Sequence, residues 1–214
     1  MLISNKSILL LSSVLVMPVM SLVFISLTRV FGPKTGYFTG FVVYWIYCII
    51  FFILLMKNRA GQISGIFRIH LKTRKNILVS ILAFLPVFGV FYIQFLPVIS
   101  SITTAVFILV LVNAILNGII EEMYWRGLYL VEYKSNVYIG LWLSVFLFGA
   151  WHISMYLIED IYFGGFGPLV GGSLLMGLLW SFCSRFLNSI IMPTIAHILV
   201  NFFAFTGLYI ENAF

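Results

Sequence analysis

Three short clusters of polar side chains interrupt the long apolar runs of this sequence, and their residue types could carry out acid–base chemistry. They supply two carboxylates, a guanidinium, two imidazoles and an amide: Glu121, Glu122, Arg126, His152, His197 and Asn201. An ionisable group at membrane depth costs roughly 2.5–3.5 kcal/mol, and therefore marks a functional candidate. A glutamate in apolar surroundings has its charged form disfavoured, which makes it a usable general base.

The elements that position these residues are predicted to be membrane-spanning helices. The 214 residues are 63% hydrophobic and only 8% charged, with a mean hydropathy of +1.15. A soluble domain carries about 25% charged residues, and a spanning helix needs about 20 apolar residues. Seven runs satisfy that length: Ser7 to Thr28, Tyr37 to Met56, Ile77 to Val98, Ile102 to about Val131, Val137 to Ile158, Leu169 to Phe186, and Ile190 to Leu208. We therefore predict an all-α bundle of about seven spans that forms a single membrane domain over residues 1–214.

Helix arithmetic places the polar clusters at similar depths. At 1.5 Å per residue, Glu121 lies about 15 Å from the predicted cytoplasmic end of its helix at Val131. His152 lies about 22 Å from the predicted cytoplasmic end of its helix at Val137. His197 and Asn201 lie about 10 and 16 Å deep on the last helix and share one face, because they are four residues apart. Three helices are thus expected to bring polar side chains together.

The two adjacent carboxylates are expected to have different roles. Glu122 precedes Arg126 by four residues, which is the favourable order for an ion pair on a helix. Glu121 is rotated by about 100° from Glu122, so the two side chains are not expected to point at the same place. This pattern predicts a structural ion pair between Glu122 and Arg126, and leaves Glu121 facing the histidines.

The net charge of +6 comes largely from one loop. Six of the twelve basic residues lie between the second and third predicted spans: Lys57, Arg59, Arg68, Lys72, Arg74 and Lys75. Positive charge is retained on the cytoplasmic side, so this loop and the N-terminus are expected on the cytoplasmic side of a plasma membrane. The small size of the protein favours a bacterial membrane. Attraction to anionic headgroups explains the loop better than nucleic-acid binding does.

The ordered motifs resemble those of a known family. Glu121-Glu122-x-x-x-Arg126, Phe148-x-x-x-His152 and His197-x-x-x-Asn201 are similar to the motifs of the type II CAAX prenyl endopeptidase and bacteriocin-processing family, also called CPBP or Abi. The resemblance covers Glu121 to Asn201, within a motif-bearing catalytic core predicted at residues 101–209, whereas residues 1–100 correspond to variable spans. It implies that Glu121 and His152 activate a water molecule. It further implies that His197 and Asn201 donate hydrogen bonds to the oxyanion. We expect no cofactor.

Several alternatives remain open on the sequence alone. Glu121, His152 and His197 are a legitimate three-ligand set for catalytic zinc, although we expect no metal. A member of this family could also act without catalysis, in bacteriocin immunity or as a membrane scaffold. A transporter is disfavoured by the absence of an inverted repeat. The expected partners are a peptide or membrane-protein substrate and membrane lipids.

Overall fold

The structure, a computed structural model, describes residues 4–213, and this part of the chain is helical with no strand. Seven of its helices are long and apolar enough to cross a membrane, as predicted. We label them α1 (Asn5–Phe31), α2 (Pro33–Met56), α4 (Arg74–Ser101), α5 (Thr104–Glu132), α6 (Val137–Tyr156), α7 (Gly167–Leu187) and α8 (Ile191–Glu211). A short helix, α3 (Ala60–Ile66), lies in the basic loop. The chain is therefore a multi-pass helical membrane protein.

Three of the long helices are not uniformly α-helical. In α4 the chain passes through segments Arg74–Ala83 and Leu85–Val90, a π-helical turn at Phe91–Phe95, and a 3₁₀ end at Leu96–Ser101. In α7 the first five residues, Gly167–Gly171, are π-helical. In α5 a π-helical turn, Met123–Leu128, follows directly after Glu122 and separates Thr104–Glu122 from Tyr129–Glu132. Turns of this kind are frequent at functional sites.

Several glycines permit close helix approach, and two of them bear on the packing of α1, α2, α5 and α8. Gly36 faces the backbone of Thr28, where an added Cβ would lie only 2.4 Å from the nearest backbone atoms, so α1 and α2 pack as a tight hairpin. Gly118 faces α8, where an added Cβ would lie 2.7 Å from Ile198 Cγ1 and 3.0 Å from its backbone nitrogen. The second contact holds α5 against the helix that carries His197.

The bundle buries three tryptophans in its core and leaves many aliphatic side chains exposed on its surface. Trp125, Trp151 and Trp180 are fully buried, whereas Leu22 and Ile93 are 70% and 75% exposed. In a chain with these spans, the outward aliphatic side chains face lipid. The core in which the polar clusters lie is formed where α2, α5, α6 and α8 meet.

The basic loop is attached to the bundle at two points. Arg59 forms an ion pair with Glu132 at the end of α5, and the Ile190 N–H donates a hydrogen bond to the carbonyl of Ile66. The basic side chains beyond α3 are exposed. Glu159 and Asp160 follow the opposite end of α6 from the one nearest this loop.

Candidate active site

Glu121 is the most extensively hydrogen-bonded side chain of the polar core. It is 2% exposed, near the end of the α-helical part of α5. Its Oε1 accepts hydrogen bonds from Tyr44 Oη at 2.6 Å and from Trp151 Nε1 at 3.1 Å. Its Oε2 accepts one from Asn117 Nδ2 at 3.0 Å and lies 3.2 Å from His197 Nε2. Helices α2, α5, α6 and α8 therefore all contact this one carboxylate.

Glu122 contacts both Arg126 and His197. Its Oε1 lies 2.9 Å from Arg126 Nη1 and 2.9 Å from His197 Nδ1. The expectation that Glu121 and Glu122 cannot reach the same place was therefore wrong. The physical reason is the width of the imidazole ring, whose two nitrogens lie on different edges. One nitrogen can therefore meet Glu121 while the other meets Glu122, although the two side chains leave the helix in different directions.

Arg126 is buried and makes mostly ring contacts. Its guanidinium carbon lies 4.0 Å from the centre of the Phe148 ring and 5.4 Å from that of Trp180. None of its nitrogens makes an aligned hydrogen bond to the residues the structure describes, so the contact with Glu122 is chiefly electrostatic. A guanidinium stacks well on aromatic faces, which partly compensates for its burial.

His197 lies between the two carboxylates. Its ring stacks on Trp180, with 4.3 Å between ring centres and 28° between planes. An ionised carboxylate only accepts hydrogen bonds, so both imidazole nitrogens donate if both glutamates are ionised. In that state the charges of His197 and Arg126 balance those of Glu121 and Glu122. A buried cluster of four ionisable groups is tolerated when its charges are paired in this way.

His152 lies beside this cluster without a direct hydrogen bond to Glu121. Its Nδ1 lies 2.8 Å from the carbonyl oxygen of Phe148, one turn earlier in α6, to which it can only donate. This bond fixes the tautomer and leaves Nε2 as an acceptor. His152 is half-buried and electrostatically coupled to Glu121. His152 Nε2 is thus an acceptor without a hydrogen-bond partner among residues 4–213.

Asn201 supplies the complementary feature, a free donor. The side chain is 8% exposed, and its Nδ2 has no hydrogen-bond partner within residues 4–213. A buried donor without a partner costs about 1–3 kcal/mol. Such a cost is best explained where a bound group supplies the missing acceptor. Asn201 lies one helical turn beyond His197, on the same face of α8.

Three residues of the site were not predicted from the sequence. Tyr44 and Asn117 donate to Glu121, and Trp45 Nε1 donates to Asn117 Oδ1 at 2.8 Å. A weak signal exists for the α2 residues, because tyrosine and tryptophan prefer the membrane interfaces and these two lie in the middle of a span. Trp151 of α6 also donates a hydrogen bond to Glu121.

The zinc alternative has no preformed ligand group. Within residues 4–213, no three His, Cys, Asp or Glu side chains are grouped so that they could hold a metal ion. In particular, His197 already has a carboxylate at each nitrogen, and the Nδ1 of His152 is used by a carbonyl group. The two cysteines, Cys48 and Cys183, are free and buried in separate helices.

Comparison with known proteins gives one finding. Residues 103–203, just under half of the chain, match the family model described as type II CAAX prenyl endopeptidase Rce1-like. Searches of curated proteins and of solved structures gave no match. The matched segment begins before α5 and ends within α8, and it contains all six residues of the three polar clusters. Residues 103–203 are thus similar to the Rce1-like domain of the type II CAAX prenyl endopeptidases, which belong to the CPBP family.

Proposed function

We propose that this protein is an intramembrane endopeptidase that hydrolyses peptide bonds without a metal ion. The family is one of endopeptidases, which supports a protease-like function for the chain. The observation that carries the finer proposal is the surroundings of Glu121. This buried carboxylate is contacted by His197 and interacts electrostatically with His152, and an amide donor without a partner, Asn201 Nδ2, lies one helical turn beyond His197.

The proposed reaction begins with a water molecule between Glu121 and His152. The free Nε2 of His152 accepts one hydrogen bond from the water and orients it. Glu121 takes the other proton as the water oxygen attacks the carbonyl carbon of the scissile peptide bond. The C=O bond becomes a C–O⁻ single bond, which gives a tetrahedral intermediate.

Asn201 Nδ2 and His197 Nε2 are then the donors for the oxyanion. Preorganised donors of this kind in a water-poor site are among the largest contributions to catalysis. As the intermediate collapses, the C–N bond breaks and Glu121 returns its proton to the leaving nitrogen. The carboxylate is regenerated, and the products are a carboxylic acid and an amine.

The proposed cycle requires one donor to leave Glu121. A carboxylate has about four acceptor positions, and all four are occupied by Tyr44, Trp151, Asn117 and His197. His197 is the donor whose role requires it to turn towards another oxygen. Substrate binding would therefore exchange the His197–Glu121 contact for one between Glu121 and water.

The test uses purified protein in lipid nanodiscs with a fluorogenic farnesylated peptide ending in a CAAX sequence. Glu121→Gln removes the proton acceptor while keeping the side-chain shape, and we expect at least about a 1,000-fold loss of kcat. The matched control is Glu132→Gln on the same helix, whose carboxylate pairs with Arg59 away from the site. Equal activity of the wild-type protein and Glu121→Gln would contradict the proposal.

Metal independence is tested on the same preparation. We expect activity to survive prolonged exposure to a membrane-permeant chelator, and the purified protein to contain well below one zinc ion per chain. The amide of Asn201 is a poor zinc ligand but a suitable oxyanion donor, which supports this expectation. Stoichiometric zinc, with activity lost on chelation and restored by zinc, would instead assign His152 and His197 as ligands.

A second candidate function is binding without catalysis, as in bacteriocin immunity or scaffolding. The observation that favours it is the complete occupation of the Glu121 acceptor positions, which a purely structural polar core would also display. In cells, this alternative predicts that Glu121→Gln at normal abundance keeps the phenotype of the wild-type protein. The peptidase predicts its loss, with uncleaved peptides accumulating in membranes or medium.

A further inference from the structure

The geometry points to Tyr44 of α2 as a positioning residue that holds Glu121 Oε1 so that Oε2 is the oxygen that receives the proton from water. This inference rests on the proposed function. It assigns a role to a residue outside the family-matched segment 103–203, in a part of the chain where the sequence indicated no site residue.

The hydroxyl group of Tyr44 is fixed from both sides. Tyr44 is fully buried, and its Oη accepts a hydrogen bond from Trp125 Nε1 at 2.9 Å. An indole nitrogen can only donate, so the hydroxyl proton is left for the other neighbour. That neighbour is Glu121 Oε1 at 2.6 Å. The direction of the Tyr44–Glu121 hydrogen bond is therefore set by the protein.

The ring of Tyr44 is fixed as well. It stacks on Trp151, with 3.9 Å between ring centres and 12° between planes. Trp151 is the other donor to Glu121 Oε1, so the two stacked rings present two donors to one oxygen. Neither donor can leave without breaking this stack, which makes Oε1 the anchored oxygen of the carboxylate.

The second oxygen differs because one of its donors has a second role in the proposed reaction. Its donors are Asn117 and His197, and His197 is needed elsewhere if it stabilises the oxyanion. Oε2 is therefore the oxygen at which water can replace a donor. Anchoring of one oxygen matters because a shift of about 1 Å in a reacting group can lower a rate about 100-fold.

The test compares two tyrosines on α2. Tyr44→Phe keeps the stacked ring and removes only the hydroxyl group. Tyr47→Phe is the matched control, since Tyr47 also makes a 2.6 Å hydrogen bond, but to the carbonyl oxygen of Ser12. With the farnesylated CAAX peptide, we expect kcat of Tyr44→Phe to fall about 10- to 100-fold with KM nearly unchanged. Tyr47→Phe should stay within about twofold of the wild-type kcat.

Activity is expressed per folded molecule, measured by size-exclusion recovery, so that a folding defect does not count as a catalytic one. Placing para-aminophenylalanine at position 44 restores a donor on the same ring and should recover most of the activity.

Three outcomes would each overturn the inference: wild-type kcat per folded molecule in Tyr44→Phe, an equal loss of kcat in Tyr47→Phe, or failure of para-aminophenylalanine to restore activity. If Glu121→Gln is inactive while Tyr44→Phe is fully active, the proposed function stands and only the role of Tyr44 fails. If Glu121→Gln is as active as the wild type, the proposed function itself fails.

Discussion

At the scale of single residues, Glu122 and Asn201 differ in the effects that their substitution should have on stability and activity. Glu122 Oε1 is shared between Arg126 and His197, so it is both a counter-charge and a support for the imidazole. Asn201 Nδ2 has no partner in the part of the chain that is described. Substitutions at these two residues should therefore have opposite effects on stability.

Glu122→Gln is expected to reduce both the amount of folded protein and the activity of each folded molecule. Arg126 would keep a buried charge without its counter-charge, and breaking a buried pair costs about 3–5 kcal/mol. His197 would also lose a carboxylate at Nδ1. Adding Arg126→Met should restore the amount of folded protein, because both buried charges are then removed.

The double variant separates the two roles of Glu122. Recovery of folded protein without recovery of kcat would show that the contact with His197 matters for catalysis. Full recovery of kcat would show that Glu122 acts only through Arg126. Both quantities are obtained from detergent-solubilised protein by fluorescence-detected size exclusion and by the peptide assay.

Asn201→Leu is expected to lower kcat about 100- to 1,000-fold, as is typical of losing one oxyanion donor. Its thermal unfolding midpoint should be unchanged or higher, since a buried donor without a partner is replaced by an apolar group of similar size. Asn113→Leu on α5 is the matched control. Asn113 Nδ2 donates to Tyr209 Oη at 3.1 Å, so this variant should lose about 1 kcal/mol of stability and keep its activity. Destabilisation by Asn201→Leu with normal kcat would identify Asn201 as a packing residue.

At the scale of helices, the sequence predicted the elements better than the contacts between them. The spans were found because apolar length alone identifies them, and the observed α1, Asn5–Phe31, extends only slightly beyond the predicted Ser7 to Thr28. The roles of α2 were missed because Tyr44 and Trp45 differ little in hydropathy pattern from residues that only pack. The sequence did not predict that Glu121 and Glu122 both contact His197. The rotation between the two positions on the helix separates the directions of their side chains, but it does not account for the width of the imidazole ring between them.

The contact between α5 and α8 sets the distance between Glu121 and His197, and Gly118 controls that contact. Gly118→Ala would place a Cβ 2.7 Å from Ile198 Cγ1 and 3.0 Å from its backbone nitrogen, so the helices must separate. We expect a loss of about 1–3 kcal/mol in stability and a fall in kcat, because Glu121 lies less than one turn further along α5.

Gly172→Ala provides the control for Gly118→Ala, because nothing lies within 4 Å of the added Cβ and alanine favours the helix. Thermal unfolding and the peptide assay would be measured on both variants. Equal behaviour of the two variants would show that the α5–α8 distance is not critical for the site.

At the scale of the whole molecule, the charges outside the spans are separated between the two ends of the bundle. One end carries the loop with Lys57, Arg68 and Lys72, attached to α5 through Arg59 and Glu132. The other carries Glu159 and Asp160 between α6 and α7 and the basic residues Arg29 and Lys34 at the α1–α2 turn, so it has no excess of positive charge. Counting along α5, Glu121 lies about 16 Å from Glu132, so the site is inside the membrane but nearer the basic end. A substrate from the side of the basic loop would have the shorter path.

The orientation of the bundle follows from this charge separation. Retention of positive charge predicts that the basic loop and the N-terminus are cytoplasmic. Single cysteines introduced as Lys72→Cys and Glu159→Cys distinguish the two sides, and Lys134→Cys at the α5–α6 turn provides a second position on the basic side. The native Cys48 and Cys183 are fully buried, so they should contribute little background labelling. With a membrane-impermeant maleimide on intact cells, we expect labelling at position 159 alone, and labelling at all three only after the membrane is opened. Labelling of positions 72 and 159 from the same side would contradict the seven-span topology, and with it the depth assigned to Glu121.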